Sequence, residues 1–372
     1  METPSILRQI VDPWYDSLAD PKGSQERVLM NLISAYAKTD YGREHCASEV
    51  RGVADFRARF PAASFRSLVP YVRRVEGGDY SALLPEPAKL WVMTRGSTGA
   101  SKVLPVTETH LAQILEMGAR CVVNFATRRN PEVLEAAVLN LNFPSEVHVL
   151  HAQGRLETYG YSSGTYARAF PSLSGARLVP EQREIDSLGG GITQRDWERR
   201  FELAYERAKG EDIGSLMGVT PVMSAFASYL RKKHGVRPRQ VWKPRALFCT
   251  SVAKIHTRYE RELRYQYGPV PVVEMYTATE GVFAQQLDDL PYVSPNYDGY
   301  LFEVATGSGV KMLHELRPNE WGRLLVSTVM LPRYQIGDLV EALGKGYFRI
   351  FGRDRARTRL EHAFFNLLSF RF

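Results

Sequence analysis

The chain has few cysteines and no long apolar run. Only Cys46, Cys121 and Cys249 of its 372 residues are cysteines, and no C-x-x-C pair occurs. Cysteines this few and this far apart do not make a disulfide framework and are typical of a protein in a reducing compartment. The N-terminus has no apolar signal core, and no apolar stretch approaches the length of a transmembrane helix. We therefore predict a cytoplasmic protein without a membrane partner.

Charge of one sign is only mildly in excess. The chain has 48 basic and 41 acidic residues, which gives a formal net charge of +7. No arginine-rich tail occurs and aromatic residues do not alternate with basic ones, so we predict no nucleic-acid partner. The excess suits a small anionic ligand such as a nucleotide. The chain also lacks internal repeats, low-complexity linkers and any supported Ser-His-Asp or Cys-His arrangement.

The order of local patterns predicts an α/β fold that becomes mostly β after residue 290. Residues 1–23 contain three prolines, Pro4, Pro13 and Pro21, and read as irregular. Residues 144–192 are rich in Gly, Ser and Tyr and read as short strands and loops. Apolar periodicity and capping residues predict helices over 24–36, after Thr107, from Thr193 to about Lys209, over Val222–Lys233 and around His256–Tyr265. Strands are predicted at Leu90–Met93, Ala136–Phe143, Ala246–Cys249, Val272–Met275, Tyr300–Val304, Arg323–Val329, Leu339–Ala342 and Tyr347–Phe351.

The segment Thr94–Lys102 carries the first chemical signal. Its glycines allow tight turns, and consecutive backbone N–H groups in such a loop can hold an anion. The hydroxyls of Ser97, Thr98 and Ser101 and the charge of Lys102 add to this. The spacing is not that of a P-loop. The residues alone leave two readings open, a phosphate-binding loop or a polar surface turn.

A second signal, Tyr276–Gly281, directly follows a predicted strand. Glu280 could hold Mg²⁺ beside a triphosphate, because Mg²⁺ takes one or two carboxylates together with substrate phosphates. Tyr276 could stack on a base. The alternative is a helix-capping threonine beside a surface glutamate.

Further carboxylates and cations follow in the β-rich part. Asp338 is a candidate for the hydroxyls of a ribose, since an ionised carboxylate only accepts hydrogen bonds, and the alternative is a hairpin turn. Arg353 offers a cation, and the alternative is a solvated charged turn. His148 and His151 lie three residues apart without a third ligand at fitting spacing, so we favour a surface location over a metal site.

In combination, Thr94–Lys102, Tyr276–Gly281, Tyr334–Asp338 and Gly352-Arg353 resemble the acyl-adenylate-forming superfamily in their order and spacing. That superfamily includes luciferases, acyl-CoA synthetases and peptide-synthetase adenylation domains. The flanking segments resemble the Gretchen-Hagen-type acyl acid amido synthetases, which conjugate auxin and jasmonate to amino acids. These segments are Thr39–Arg43, Asp55-Phe56, Lys102–Thr107, Tyr161–Gly164, Gly218–Pro221, Ser294–Asn296 and Phe302-Glu303.

The resemblance implies an α/β fold with a large N-terminal adenylating domain of two helix-flanked β-sheets and a smaller β-barrel-like part. The adenylating domain would span residues 1–355, with the β-rich part at about 290–355. The implied function is ATP-dependent adenylation of a carboxylic acid with release of pyrophosphate, followed by transfer of the acyl group to an amine or amino acid. The implied cofactors are ATP and Mg²⁺.

The resemblance also implies roles for particular residues. Lys102, Glu280 and Arg353 would be catalytic, with Glu280 as the metal ligand. The nucleotide would be bound by Thr94, Ser97, Thr98, Gly99, Ser251, Val252, Ala253, Tyr276, Thr279 and Asp338. The acid would be bound by Tyr161, Ser163, Val219 and Met223, in a largely apolar pocket.

Two features depart from the family pattern. Arg95 stands where the family usually has Ser or Thr. The family continues after the position of Arg353 into a mobile lid domain, whereas we expect residues 356–372 to form a short tail in its place. A partner protein covering an open site is therefore one expectation, and docking of the tail on its own domain is the other. A non-catalytic nucleotide-binding or partner-binding relative is the alternative function.

Overall fold

A computed structural model describes residues 5–96, 101–169, 172–173 and 176–369. The helices are α1 (Ser5–Ala19), α2 (Pro21–Tyr36), α3 (Asp40–Glu44), α4 (Val53–Arg59), α5 (Phe65–Glu76), α6 (Glu108–Arg128), α7 (Ser162–Ala169), α8 (Gln182–Asp186), α9 (Gln194–Ala208), α10 (Thr220–Lys233), α11 (Pro238–Val241), α12 (Glu260–Tyr267) and α13 (Ala356–Ser369). A π-helical turn at Ile255–Tyr259 leads into α12. No described helix is both long enough and apolar enough to cross a membrane.

The strands are β1 (Ala88–Met93), β2 (Val103–Thr107), β3 (Ala137–Leu139), β4 (His148–Ala152), β5 (Arg155–Tyr161), β6 (Ser172–Leu173), β7 (Ala176–Val179), β8 (Ile213–Val219), β9 (Ala246–Thr250), β10 (Val272–Ala278), β11 (Gly281–Gln285), β12 (Ser294–Pro295), β13 (Leu301–Thr306), β14 (Gly309–Met312), β15 (Trp321–Ser327), β16 (Tyr334–Gly344) and β17 (Tyr347–Arg353). In the described part of the chain they form three sheets of four, eight and five strands. The predicted α/β architecture with several sheets is confirmed.

The eight-stranded sheet positions the site. Its order is β12-β11-β10-β9-β8-β3-β7-β6, and the run from β10 to β7 is parallel. The carboxyl ends of parallel strands meet at one edge of a sheet, which is where ligands bind in open α/β sheets. The four-stranded sheet has the order β2-β1-β5-β4, and the five-stranded antiparallel sheet has the order β14-β13-β15-β16-β17.

The buried apolar residues form two clusters, one on each face of the eight-stranded sheet. On one face α6 packs Leu111 and Ile114 into a cluster that includes Phe248 and Met275. On the other face α10 and α12 contribute Phe226 and others to a second cluster. Helices on both faces of a mainly parallel sheet bury its apolar side chains completely.

Two sequence expectations about local structure are wrong. The N-terminal segment is helical from Ser5 to Tyr36 apart from a break at Asp20, although Pro13 lies inside α1. Burial explains the difference, because Trp14 of α1 is fully buried and donates a hydrogen bond from Nε1 to the Pro295 carbonyl at 2.9 Å. Residues 144–192 contain two helices, α7 and α8, besides the short strands β4 to β7, so the reading of this part as strands and loops alone is wrong.

Several helix boundaries follow from the capping residues that the sequence indicated. The Thr107 hydroxyl accepts a hydrogen bond from the His110 N–H at the start of α6. Thr193 and Asp196 form a reciprocal capping box at the start of α9. These local side-chain contacts satisfy backbone N–H groups that have no partner within the helix, which is why the sequence predicts both boundaries.

Candidate active site

A cavity of about 1210 Å³ lies at the carboxyl ends of the parallel strands. Its walls come from the ends of β1, β8, β9 and β10 and from β16 and β17 of the five-stranded sheet. The predicted site residues that line it are Thr94, Lys102, Tyr161, Ser163, Val219, Ser251, Val252, Ala253, Tyr276, Thr279, Glu280, Asp338 and Arg353. Side chains separated by more than 250 residues in sequence are thus brought to one cavity.

The β1–β2 hairpin presents Lys102 to the cavity. The Thr94 N–H donates to the Lys102 carbonyl, and the Lys102 N–H donates to the Thr94 hydroxyl, both at 2.9 Å. These two bonds close the base of the loop. The predicted phosphate contacts Ser97, Thr98 and Gly99 lie outside the described residues. Arg95, the departure from the family pattern, lines the cavity with its guanidinium 5.6 Å from the Phe143 ring centroid, and desolvation followed by the charge of Arg353 lowers its pKa.

The ammonium of Lys102 is held beside the Glu280 carboxylate by an intervening tyrosine. Lys102 Nζ donates to the Tyr334 hydroxyl at 2.8 Å. The Tyr334 hydroxyl interacts in turn with the Glu280 side chain. Lys102 also lies 5.6 Å from the Phe65 ring centroid and 5.4 Å from that of Tyr334, which are favourable distances for a cation and an aromatic face.

Glu280 is buried in the tight turn between β10 and β11, and only 5% of it is exposed. Its carbonyl is hydrogen-bonded to the ring of His110 at 3.0 Å, and the preceding Thr279 carbonyl accepts from the Tyr166 hydroxyl at 2.8 Å. Burial raises the pKa of Glu280, while Lys102, Arg353 and other donors lower it by a smaller amount. The alternative of a surface glutamate is therefore wrong. A buried carboxylate whose negative charge is incompletely compensated is a suitable ligand for a cation.

Asp338 lies inside strand β16 and lines the same cavity. The Tyr276 hydroxyl donates to Asp338 Oδ2 at 2.8 Å, and Arg353 Nε lies 3.3 Å from Asp338 Oδ1. Burial raises the pKa of Asp338, and Arg353 and Tyr276 oppose that effect. Because Asp338 pairs with Arg353 between two strands, the hairpin-turn alternative is wrong.

A glycine permits this arrangement around Arg353. The guanidinium donates from Nη1 to the Ile336 carbonyl at 2.6 Å. The adjacent Gly337 has a φ of +85°, and a side chain there would start 3.4 Å from that same Nη1 atom. A residue with a side chain would strain the backbone and crowd the guanidinium, so glycine is required at this position.

The loop after β9 contributes Ser251, Val252 and Ala253 to the cavity wall. Its entry is fixed by the Thr220 hydroxyl, which donates to the Thr250 carbonyl at 3.0 Å. Ser251 has a φ of 74°, in the left-handed region. For a residue other than glycine this conformation is uncommon and marks a tight turn of the chain directly after β9.

The residues predicted to bind the acid divide into two groups. Tyr161, Ser163 and Val219 line the cavity. Met223 does not, because it is buried in the core with its sulfur 3.9 Å from Cys249 Sγ and its carbonyl bonded to the Tyr267 hydroxyl. The sequence placed Met223 correctly on α10, but the face of the helix that it occupies packs against other helices.

Sequence reasoning missed an apolar arm of the cavity between α6 and the eight-stranded sheet. Its walls include Ile114, Leu115, Gly118, Val122, Val138, Met217 and Met275. A Cβ atom at Gly118 would meet nothing within 4 Å, so this glycine leaves open space in the arm. The available signal was a glycine inside a long helix, where it is unfavourable for helix formation.

Other parts of the cavity and its surroundings were also missed. The Glu280 side chain interacts with Tyr334, and its carbonyl with the ring of His110. Tyr166 bonds the carbonyl of the preceding Thr279. Of these three partners, only Tyr334 lies within a segment that the sequence singled out. Glu274 lines the cavity two residues before Tyr276. His148 and His151 are exposed on β4, and the described residues contain no cluster of three or more His, Cys, Asp or Glu side chains that could hold a metal ion.

The sequence matches known proteins over most of its length. The GH3 family N-terminal domain matches residues 14–174. A rice protein (Oryza sativa subsp. japonica) provisionally named indole-3-acetic acid-amido synthetase GH3.10 is 32% identical over 371 residues, an alignment that covers 86% of this chain and 75% of the relative.

The chain belongs to the GH3 family. Solved structures agree with this assignment at the level of the fold. The GH3.15 acyl acid amido synthetase, solved in complex with 2,4-DB, aligns with a TM-score of 0.76 at 14% identity and covers 95% of this chain and 72% of its own. A 2-hydroxyisobutyryl-CoA ligase in complex with 2-HIB-AMP aligns with a TM-score of 0.59 at 16% identity. The alignment covers 88% of this chain and 67% of the ligase.

Membership confirms the predicted family and the class of reaction. The rice relative and the GH3.15 protein are both named amido synthetases, and the chain shares its fold with an adenylate-bound acyl-CoA ligase. The protein is therefore a ligase that activates a carboxylic acid with ATP and transfers the acyl group to an amine.

Proposed function

We propose that the cavity binds ATP with its phosphates at Lys102 and Glu280 and its ribose at Asp338, and that this enzyme releases AMP while joining an acid to an amino acid. The observation that carries the proposal is the arrangement of charge. Lys102, Tyr334 and Glu280 form one connected group, and Tyr276, Asp338 and Arg353 form a second group in the same cavity. The first group offers a cation and a metal-binding carboxylate for a triphosphate, and the second offers a hydrogen-bond acceptor, Asp338, for the hydroxyls of a ribose.

In the first step, Lys102 would hold the phosphates while a carboxylate oxygen of the acid attacks the α-phosphorus of ATP. The new P–O bond gives the acyl adenylate, and the bond to pyrophosphate breaks. Arg353 is close enough to Asp338 to contact the ribose or the developing negative charge. Preorganised charges of this kind are the main catalytic tool in phosphate chemistry.

In the second step, the nitrogen of the amine attacks the acyl carbon, the bond to AMP breaks, and the nitrogen loses a proton. Tyr276 would retain the nucleotide through Asp338 during this exchange. The buried carboxylate of Glu280 fits a divalent cation, and Mg²⁺ bound there would neutralise phosphate charge. Glu280 itself is kept in place by the bond between its carbonyl and His110.

The apolar arm supports an acid with an apolar, ring-sized tail. Its walls are mostly aliphatic, with Ser215 as a buried polar group. The rice relative is named for indole-3-acetic acid, and the GH3.15 structure holds 2,4-DB, so both names involve an acid with a ring. Pockets of this type are apolar with a few placed polar groups.

Cys46, Cys121 and Cys249 are free thiols, which supports a cytoplasmic location.

The test is product analysis of the purified chain with Mg-ATP, a panel of aryl and alkyl acids, and a mixture of amino acids. We expect AMP and pyrophosphate in equal amounts together with an amide detected by mass spectrometry. Formation of ADP, or amide formation that is indifferent to Lys102→Ala, would contradict the proposal. Lys243→Ala provides a matched control, since Lys243 does not line the cavity.

A further inference from the structure

The positive excess of the chain is concentrated in residues 213–259. This segment contains nine of the 48 basic residues and no acidic residue, which leaves 39 basic and 41 acidic residues in the rest of the chain. Six of the nine basic residues fall within thirteen positions, at Arg231, Lys232, Lys233, Arg237, Arg239 and Lys243. We call these six side chains, together with Tyr265 of α12, the basic surface. Concentrated charge of one sign produces a local potential that attracts an oppositely charged partner.

The basic surface lies toward the edge of the eight-stranded sheet that is opposite the cavity. Strands β8 and β9 are parallel neighbours, so the chain between them returns from the carboxyl edge of the sheet to its amino edge. Helix α10 begins at the carboxyl end of β8, and α11 comes shortly before the start of β9. None of the seven residues, all of which the structure describes, lines the cavity. A partner bound to this surface therefore leaves the cavity open.

The segment that carries the six cations is anchored by its other side chains. Trp242 is buried and donates a hydrogen bond from Nε1 to the Ala208 carbonyl at 2.7 Å. The ring centroids of His234 and Tyr205 lie 4.3 Å apart. Five of the six cations are exposed, and Arg237 is partly buried. Because the backbone that presents these charges is held in place, less conformational freedom is lost when a partner binds.

The charges of the basic surface are not neutralised within the protein. In the ranges that the structure describes, none of the six cations forms an ion pair with a carboxylate. Hydrogen bonds from Tyr229 and His234, and then the charge of Lys233, lower the pKa of Glu202, so the carboxylate of Glu202 is already paired. The helix dipole explains the three cations in the last turn of α10, but the other three lie beyond that helix.

Tyr265 fixes two of the cations. The guanidinium carbons of Arg237 and Arg239 lie 4.8 Å and 5.3 Å from the ring centroid, and Arg237 Nη2 donates to the Tyr265 hydroxyl at 2.9 Å. These are favourable distances for a cation and an aromatic face. Tyr265 is 51% exposed, so a partner can reach this group. Guanidinium groups pair with carboxylates through two parallel hydrogen bonds, and Arg and Tyr are enriched among the residues that dominate protein interfaces.

We propose that the basic surface binds an acidic segment of a partner protein. Carboxylates of the partner pair with Arg237 and Arg239, and the lysines steer the partner into contact. Single-stranded nucleic acid fits less well, because its bases stack on aromatic rings and two guanidinium groups already lie over Tyr265. An anionic membrane also fits less well, because membrane-surface helices bury an apolar face and this surface has no large apolar side chain except Tyr265.

The test measures binding of charged probes to the full chain, by fluorescence anisotropy and, for vesicles, by co-sedimentation. The probes are a peptide of six glutamates alternating with glycine, a heptathymidylate with six phosphates, and vesicles of phosphatidylserine and phosphatidylcholine. The variants are Arg239→Gln, Lys232→Gln and Tyr265→Ala. The control is Arg66→Gln, which removes the charge of an exposed arginine of α5 that has no ion pair within the described part of the chain. All four positions are exposed, so the variants should fold.

We expect the peptide to bind more tightly than the other two probes. Arg239→Gln should weaken binding of the peptide about 10-fold or more, the effect of losing a hydrogen bond between charged groups. Lys232→Gln should weaken it only about 1.5- to 5-fold, as for an exposed ion pair. Tyr265→Ala removes no charge, yet it should weaken binding about 2- to 5-fold because it releases the two guanidinium groups. Arg66→Gln should bind as wild type does.

Tighter binding of heptathymidylate or of the vesicles than of the peptide would overturn the assignment of a protein partner. Binding of the peptide that depends only on the number of charges, with Tyr265→Ala equal to wild type and Lys232→Gln equal to Arg239→Gln, would overturn it as well. Equal losses in Arg66→Gln and Arg239→Gln, or no binding of any probe, would overturn the basic surface itself. The four substituted residues do not line the cavity, so these outcomes are independent of the proposed function.

Discussion

At the scale of single residues, Glu280 is the carboxylate that we propose as the metal ligand. It is buried, its pKa is raised by burial, and Lys102 is its nearest compensating cation. We expect Glu280→Ala to lower acid-dependent exchange of pyrophosphate into ATP by about 100- to 1000-fold, the range for loss of one preorganised electrostatic group. Glu198→Ala, on the exposed surface of α9, is the control. An exchange rate for Glu280→Ala close to that of wild type would show that the carboxylate does not serve the adenylation step.

Tyr334 allows a finer test at the same scale, because its hydroxyl connects Lys102 to Glu280. Tyr334→Phe removes that hydroxyl and keeps the ring, which is almost fully buried. The Lys102–Tyr334 bond is made in the ligand-free protein, so its loss should cost about 1.5–3 kcal/mol of stability. Because the bond also positions Lys102, we expect kcat for adenylation to fall by about 10- to 100-fold, the same free energy expressed as a rate. A lower melting temperature with kcat unchanged would instead indicate a purely structural hydroxyl.

At the scale of elements, α6 forms one wall of the apolar arm that we propose as the acid site. Gly118 of α6 lines the arm, and a Cβ atom added there would meet nothing within 4 Å outside its own helix among the described residues. We expect Gly118→Leu to exclude acids with a ring and to retain short acids, measured as KM across a series of acids of increasing length. Glycine is about 1 kcal/mol less favourable than alanine inside a helix, so the melting temperature should stay level or rise.

Gly118→Ala is the matched control for the arm, since it gains helix stability with a single methyl group. It should bind ring-bearing acids nearly as well as wild type. If Gly118→Leu and wild type accept the same acids with the same KM, the arm is not the acid site.

Helix α13 (Ala356–Ser369) forms most of the predicted tail, residues 356–372. His362 near its middle stacks on Phe351 with ring centroids 3.9 Å apart and contacts Trp321 at 5.3 Å. This part of the helix therefore packs on the five-stranded sheet. The side chains of the apolar segment Phe364–Phe370 lie outside the described residues. The division into domains at residue 355 and a covering partner protein stay predictions.

At the scale of the whole molecule, the cavity carboxyls link stability to pH. The pKa of Glu274 is raised to about 8 from an ordinary value of 4.5, so the folded protein holds a proton that the unfolded chain releases between these values. Stability from this group is therefore lost as the pH rises from about 4.5 to about 8, by roughly 1.4 kcal/mol per pH unit. Glu280 and Asp338 act in the same direction, because burial raises both of their pKa values.

We expect the melting temperature of wild type to fall between pH 6.5 and pH 9 more steeply than that of Glu274→Gln, which cannot titrate at this position. The difference between the two proteins isolates Glu274 from histidines such as His110, whose pKa is lowered by burial to about 4. Parallel curves for the two proteins would mean that Glu274 is ionised already at pH 6.5.

The sequence alone determined the features that depend on local chemistry. Thr107 and Thr193 begin helices because their hydroxyls bond backbone N–H groups three residues later. The segments at Lys102, Glu280 and Asp338 could be read because glycines, hydroxyls and charges at short spacing suit a nucleotide wherever the chain folds. Their order along the chain then indicated the family.

Only the tertiary structure decided which side chains face the cavity and what surrounds them. Met223 and Gly118 both lie on predicted helices, and packing alone sends the first into the core and leaves the second at the cavity wall. Glu274 looks like an ordinary charged residue in a strand until desolvation in the folded chain raises its pKa to about 8. Burial is set by elements distant in sequence, so no local pattern could have shown it. Pro13 breaks a helix in the sequence reading, yet α1 forms, because burial of Trp14 against the chain near Pro295 outweighs the local preference.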